Sequence, residues 1–186
     1  MKKLIFLFLL FPLLASAQLT TINPDTVCYQ TPGSTYQVPG TPGYTYNWVV
    51  TAPGVITSGI GTNAIGVNWS AAGPGLIVNA VTVTATNAAG CISTPITLNV
   101  FILQIIPTIT AIGPFCAGSA CVTLTGTPAG GVFSGTGVVG NQFCSTTSGT
   151  GTFPITYTVT SNGCTFTATT NVTVNPIPVL SPIQHN

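Results

Sequence analysis

Apolar and polar positions alternate in short runs along most of the chain. Tyr44-Thr-Tyr46-Asn-Trp48-Val-Val50, Ile77-Val-Asn-Ala-Val81-Thr-Val83-Thr-Ala85, Cys121-Val-Thr-Leu124-Thr and Phe153-Pro-Ile155-Thr-Tyr157-Thr-Val159 place bulky residues at alternate positions, mostly with Thr or Asn between them. Side chains alternate faces along a strand, so each run has one apolar face and one face rich in hydroxyls and amides. Gly, Pro, Asn and Ser separate the runs. Beyond the first residues, no stretch long enough for a helix is free of Gly, Pro or dense β-branching. The pattern predicts an all-β chain of sandwich modules.

The first residues read differently. Lys2 and Lys3 precede an apolar run from Leu4 to Leu14, and Ala15-Ser16-Ala17 supplies the small-x-small pattern cut by signal peptidase. A membrane anchor is the competing reading, but the run is too short to cross about 30 Å of hydrocarbon and Pro12 interrupts it. Residues 1–17 are therefore expected to be a signal peptide. Export follows, to an extracellular or cell-surface location, with no transmembrane span in the mature chain.

Charge narrows the chemistry. Of 186 residues, two are Lys or Arg and one is Asp or Glu, so 2% are charged where about a quarter is usual. Lys2 and Lys3 leave with the signal peptide. Asp25 and His185 then stand alone, and the processed chain carries a formal charge of about −1. Paired carboxylates, a Ser/His/Asp triad, a kinase site and a Mg²⁺ or Ca²⁺ cage all need residues that the chain lacks. Without Lys or Arg in the mature chain there is no electrostatic footprint for DNA or RNA. The expectation is a non-enzyme with no cofactor and no metal. The mean hydropathy of +0.60 reflects the signal peptide and strands rich in Val, Ile and Ala.

Several motifs match chemistry only by letter. Gly135-Thr-Gly137-Val-Val-Gly140 fits a dinucleotide-binding fingerprint but lacks the following helix and the distal acid, so it reads as a glycine-rich turn. Asn68-Trp-Ser70 and Asn171-Val-Thr173 fit the N-glycosylation triplet, which arises by chance in Thr-rich strands. His185 has no neighbouring ligand residue with which to hold a metal.

Six cysteines in an exported chain read as three disulfides. Their contexts repeat. Cys28 and Cys116 each follow an Ile-x-Pro segment, and Cys91 and Cys164 each follow a Val-Thr strand and an Asn/Gly turn. Two related modules are therefore expected, spanning residues 18–104 and 105–176. The repeat suggests Cys28 with Cys91 and Cys116 with Cys164 as equivalent bridges, with Cys121 and Cys144 forming an additional one. The rival reading gathers Cys116, Cys121, Cys144 and Cys164 around zinc, against which stand the spacing and the oxidising compartment. Residues 177–186 echo the segment before Cys116 and read as a linker or the start of a truncated third repeat. Trp48, between Cys28 and Cys91, is expected to pack on their bridge.

The first module resembles the PKD-like domains found in tandem in Bacteroidota surface proteins. The likeness rests on Val27-Cys28, Tyr44-x-Tyr46-x-Trp48, Thr57-Ser-Gly59-Ile-Gly61-Thr-Asn63-Ala-Ile65-x-Val67-x-Trp69, and Val83-Thr-Ala85-Thr-Asn87 leading to Gly90-Cys91. The second is similar to the Ig-like repeats of the same gliding-associated and adhesin-like proteins through Phe115-Cys116-Ala-Gly118, Gly130-Gly131-Val-Phe133-Ser-Gly135 and Asn162-Gly163-Cys164. The resemblance implies tandem immunoglobulin-like sandwiches and a structural or adhesive role, with glycans, other surface proteins or further repeats of the same polypeptide as partners. Asp25-Thr26-Val27 also resembles the short sequence on which Bacteroidota attach O-glycans, making Thr26 a candidate acceptor. The alternative function is a carbohydrate-binding module. Tyr29, Tyr36, Tyr44, Tyr46, Trp48 and Trp69 concentrate in the first module, and Tyr44, Tyr46 and Trp69 are its candidate ligand-facing rings.

Overall fold

The alternation in the sequence becomes an alternation in burial. A computed structural model describes residues 24–183 and 185; the expected signal peptide, residues 1–17, lies outside the described residues. The first half contains β1 (Asp25–Cys28), β2 (Ser34–Gln37), β3 (Thr45–Val50), β4 (Val55–Ser58), β5 (Ala64–Asn68), β6 (Gly75–Thr86) and β7 (Ile96–Leu103). They form a four-stranded sheet, β1-β7-β6-β3, and a three-stranded sheet, β2-β5-β4. Ile65 and Val67 of β5 and Val100 and Ile102 of β7 point into one core with Val27, Tyr36, Trp69 and Val81. Strand β6 shifts register between Ile77 and Val81, where Asn79 has φ 50° and its amide donates to Asn99 Oδ1 at 2.8 Å. The bulge brings Val81 and Val83 inward despite the preceding change of phase.

The second half contains β8 (Thr108–Ile109), β9 (Phe115–Cys116), β10 (Val122–Thr123), β11 (Gly126–Thr127), β12 (Val132–Ser134), β13 (Val138–Val139), β14 (Gln142–Phe143), α1 (Ser145–Ser148), β15 (Gly151–Ser161) and β16 (Cys164–Asn175). One sheet runs β12-β15-β16-β9, another β10-β14-β13, and β8 pairs with β11. The long β15–β16 hairpin turns through Asn162 and Gly163 at φ 47° and 76°, the left-handed pair of a tight hairpin turn. Ile155, Tyr157, Val159, Val172 and Val174 face a second, separate core with Leu124, Phe133 and Phe143. On the opposite face Thr152 pairs with Thr173 and Thr156 with Thr169, hydroxyl to hydroxyl at 3.1 and 3.3 Å.

The two halves repeat one plan. β9-β16-β15-β12 reproduces β1-β7-β6-β3, and β10-β14-β13 reproduces β2-β5-β4. Both are immunoglobulin-like sandwiches in tandem. In each, a short early strand lies parallel to the last strand, β1 on β7 and β9 on β16. Gly135 to Gly140 form a turn with β13 inside it, and no helix begins there.

Trp48 does not occupy the centre of the first core. Trp69 does, at 1% exposure, whereas Trp48 packs partly buried against the cluster and donates its indole N–H to Thr62 O at 2.8 Å. The reason is position in the sheet: β3 is an edge strand, while Trp69 follows β5, the central strand of the opposite sheet.

Candidate functional site

The cysteines depart furthest from expectation. Cys28 is bonded to Cys164 and Cys121 to Cys144, while Cys91 and Cys116 are free and exposed. The expected Cys28–Cys91 and Cys116–Cys164 bridges are thus corrected, and β-sheet register explains why. Parallel pairing places Cys28 opposite Leu103, at the end of β7, whereas Cys91 precedes the start of that strand. Eight residues separate the two ends, roughly 23 Å at about 3.3 Å per residue. Likewise Cys116 lies opposite Asn175 at the end of β16, and Cys164 opens that 12-residue strand, roughly 36 Å away. Bonded cysteines need Cα atoms within about 7 Å. The zinc alternative falls with the same geometry, since three of its four sulfurs are consumed in disulfides.

Cys28–Cys164 joins the two modules, with Cα atoms 5.4 Å apart. Cys28 contributes from the closing end of the first module and Cys164 from the β15–β16 turn of the second. A crevice of about 590 Å³ opens beside the bond, lined by Tyr29, Gln30, Gln104, Ile105, Pro107 and Phe166 among others. Tyr29 N–H donates to Leu103 O at 2.8 Å, which fixes the chain leaving Cys28 against the end of β7 just before the linker.

A second constellation lies inside the first module. Trp69 Nε1 donates to Tyr36 Oη at 3.0 Å, and Tyr36 Oη donates to Asp25 Oδ2 at 3.1 Å. Burial first, and the Asp25 carboxylate second, raise the Tyr36 phenol from 10.0 to about 12. The chain of bonds ties β1 in one sheet to β2 in the other and gives the acid a structural acceptor role. It was not foreseen from sequence, because Tyr36 and Asp25 meet only across the two sheets.

The candidate sugar-facing aromatics separate. Tyr44 is 43% exposed, but Trp69 is in the core and Tyr46 is buried, its hydroxyl accepting from Thr41 N–H at 2.8 Å. Tyr46 and Trp69 therefore present no ring face on which a sugar could stack, and this correction leaves Tyr44 alone of the three. Thr26 sits half-buried on the edge strand β1, its backbone in register with Phe101. Among the described residues no group of three or more His, Cys, Asp or Glu could hold a metal ion. No described helix is long and apolar enough to cross a membrane.

The sheet orders and the two cores define an all-β array of immunoglobulin-type modules. Residues 15–100, which span most of the first module, match the model of the PKD-like domain family. Among solved structures, the fibronectin(III)-like modules of Clostridium thermocellum CbhA are 12% identical, with TM-score 0.37, covering 90% of this chain and 97% of theirs. The titin Ig tandem A164-A165 is 14% identical at TM-score 0.27, covering 83% and 94% respectively. Extracellular domains 3-5 of Drosophila OTK are 12% identical at TM-score 0.27, covering 89% and 69%. A comparison with curated proteins finds no match.

Proposed function

We propose that the chain is a non-catalytic spacer or adhesive segment of an exported bacterial surface protein, with modules at residues 18–104 and 105–176. The observation that carries this reading is the Cys28–Cys164 bond, which fastens one sandwich to the next at their junction. A bond there adds nothing to either core directly; it holds the direction in which the second module leaves the first. The separate cores and the near absence of charge favour a scaffold over a reaction centre. The PKD-like match and the disulfides suit an extracellular setting. Thr26 is the proposed glycan acceptor.

Small-angle scattering of the oxidised chain tests the reading. An elongated profile that broadens on reduction, while the circular dichroism of the sandwiches persists, is the expected result. A compact profile unaffected by reduction would sink it.

A further inference from the structure

The bond between the modules leaves one unused counterpart at each outer end. Cys116 occupies in the second module the place Cys28 has in the first. Each ends the short strand parallel to the last strand; Ala117 N–H donates to Asn175 O at 2.9 Å just as Tyr29 N–H donates to Leu103 O at 2.8 Å. The turn that follows also repeats, with Ser119 N–H on Cys116 O and Thr31 N–H on Cys28 O, and with Gly118 and Gln30 both at positive φ. At the other end, Cys91 follows the β6–β7 turn as Cys164 follows the β15–β16 turn. Gly90 and Gly163 precede them at φ 83° and 76°. Cys164 is 1% exposed within the junction, whereas Cys91 is open to solvent beside Ile92, itself 70% exposed.

We infer that this chain joins a second copy of itself head to tail, through a disulfide between Cys91 of one copy and Cys116 of the next, repeating the geometry of the Cys28–Cys164 junction. The internal junction is the evidence that these two kinds of module end fit one another. Within one copy the two thiols cannot meet: each lies a full strand length from the junction, on a different module, and no strand of one module packs extensively along a strand of the other. Because the two surfaces joined differ, the contact is heterologous and propagates as an open chain unless its rotation closes a ring. The inference stands apart from the adhesive reading, since a covalent array can form whatever it binds.

The step requires a disulfide oxidant, for which oxidised glutathione serves. The thiolate of Cys116 attacks one glutathione sulfur and expels a glutathione thiolate. The Cys91 thiolate then attacks Cys116 Sγ in the mixed disulfide and expels the second. Two cysteine thiols are oxidised, one glutathione disulfide is reduced to two thiols, and the two protons pass to the released thiolates.

The test uses the full chain in a glutathione redox buffer, followed on non-reducing gels with mass spectrometry of the linked peptides. Wild type is expected to give a ladder of multimers that collapses on reduction, with a Cys91–Cys116 linked peptide. Cys91→Ser and Cys116→Ser should each remain monomeric alone, and an equimolar mixture should give a dimer and nothing longer. Both positions are exposed, so unchanged melting of each variant shows that the fold is intact. A variant that dimerises alone, a mixture that stays monomeric, or a wild-type monomer carrying an internal Cys91–Cys116 bond would each overturn the inference. So would a bond from Cys116 to any other cysteine.

Discussion

Trp69 donates its indole N–H to the hydroxyl of Tyr36 at 3.0 Å, inside a core where the tryptophan is almost fully enclosed. A buried donor left without its acceptor costs about 1–3 kcal/mol. Tyr36→Phe should therefore destabilise the first module by roughly that amount, and Trp69→Ala by about 3–5 kcal/mol because it also opens a cavity. Urea denaturation followed by circular dichroism gives both values. A loss under about 0.5 kcal/mol in Tyr36→Phe, the size of an ordinary surface change, would mean the bond is replaced by water.

The same tyrosine predicts a response to alkali. Its folded phenol ionises near 12 and its unfolded phenol near 10. The folded state therefore binds more protons in that interval, and stability falls as pH rises through it. This contribution is fully present below about pH 10 and is lost toward about pH 12. Tyr36→Phe should flatten the decline in urea midpoint between those values. An equally steep decline in the variant would place its origin elsewhere.

Tyr157 predicts the cost of crowding in the second module. Its hydroxyl donates to Pro128 O at 2.6 Å and accepts from Gly131 N–H at 2.8 Å. A Cβ on Gly126 would lie 2.5 Å from the ring, and one on Gly131 would meet both the ring and, at 2.6 Å, the Thr158 carbonyl. Gly126→Ala and Gly131→Ala should each cost about 1–3 kcal/mol through overpacking. Thermal melting of the two alanine variants checks this, and a neutral result at both sites would mean that the loop from Pro128 to Gly131 shifts freely.

Thiol accessibility reports the bonding pattern. Maleimide should label Cys91 and Cys116 in the native monomer and all six cysteines only after reduction and unfolding. Non-reducing peptide maps should link Cys28 to Cys164. Replacing both Cys121 and Cys144 by Ser should cost up to about 3.4 kcal/mol in the chain-entropy model for a sequence separation of 23. Recovery of a Cys28–Cys91 peptide would contradict the junction directly.

What could be read in advance was local. Ile155, Tyr157 and Val159 alternate with Thr and all turn inward, and the same rule places Ile65 and Val67. The likeness of Cys28 to Cys116, and of Cys91 to Cys164, was also visible as repeated context. Their pairing was not, because the parallel contact of β1 with β7 joins segments far apart in sequence and sends Cys28 to the opposite end of the strand from Cys91. Trp48 and Trp69 both sit in alternating runs. Only the order of strands, which makes β3 an edge and β5 a centre, decides which of them is enclosed.

The paired threonines on the outer face of β15 and β16 have a consequence for the medium in which such an array operates. Hydration there rests on neutral hydroxyls held in register, so dissolved salt has almost no fixed charge on that face to screen. Acid within the range that leaves the backbone intact has nothing there to protonate. Such a face offers water the same lattice of donors and acceptors in dilute and in briny surroundings.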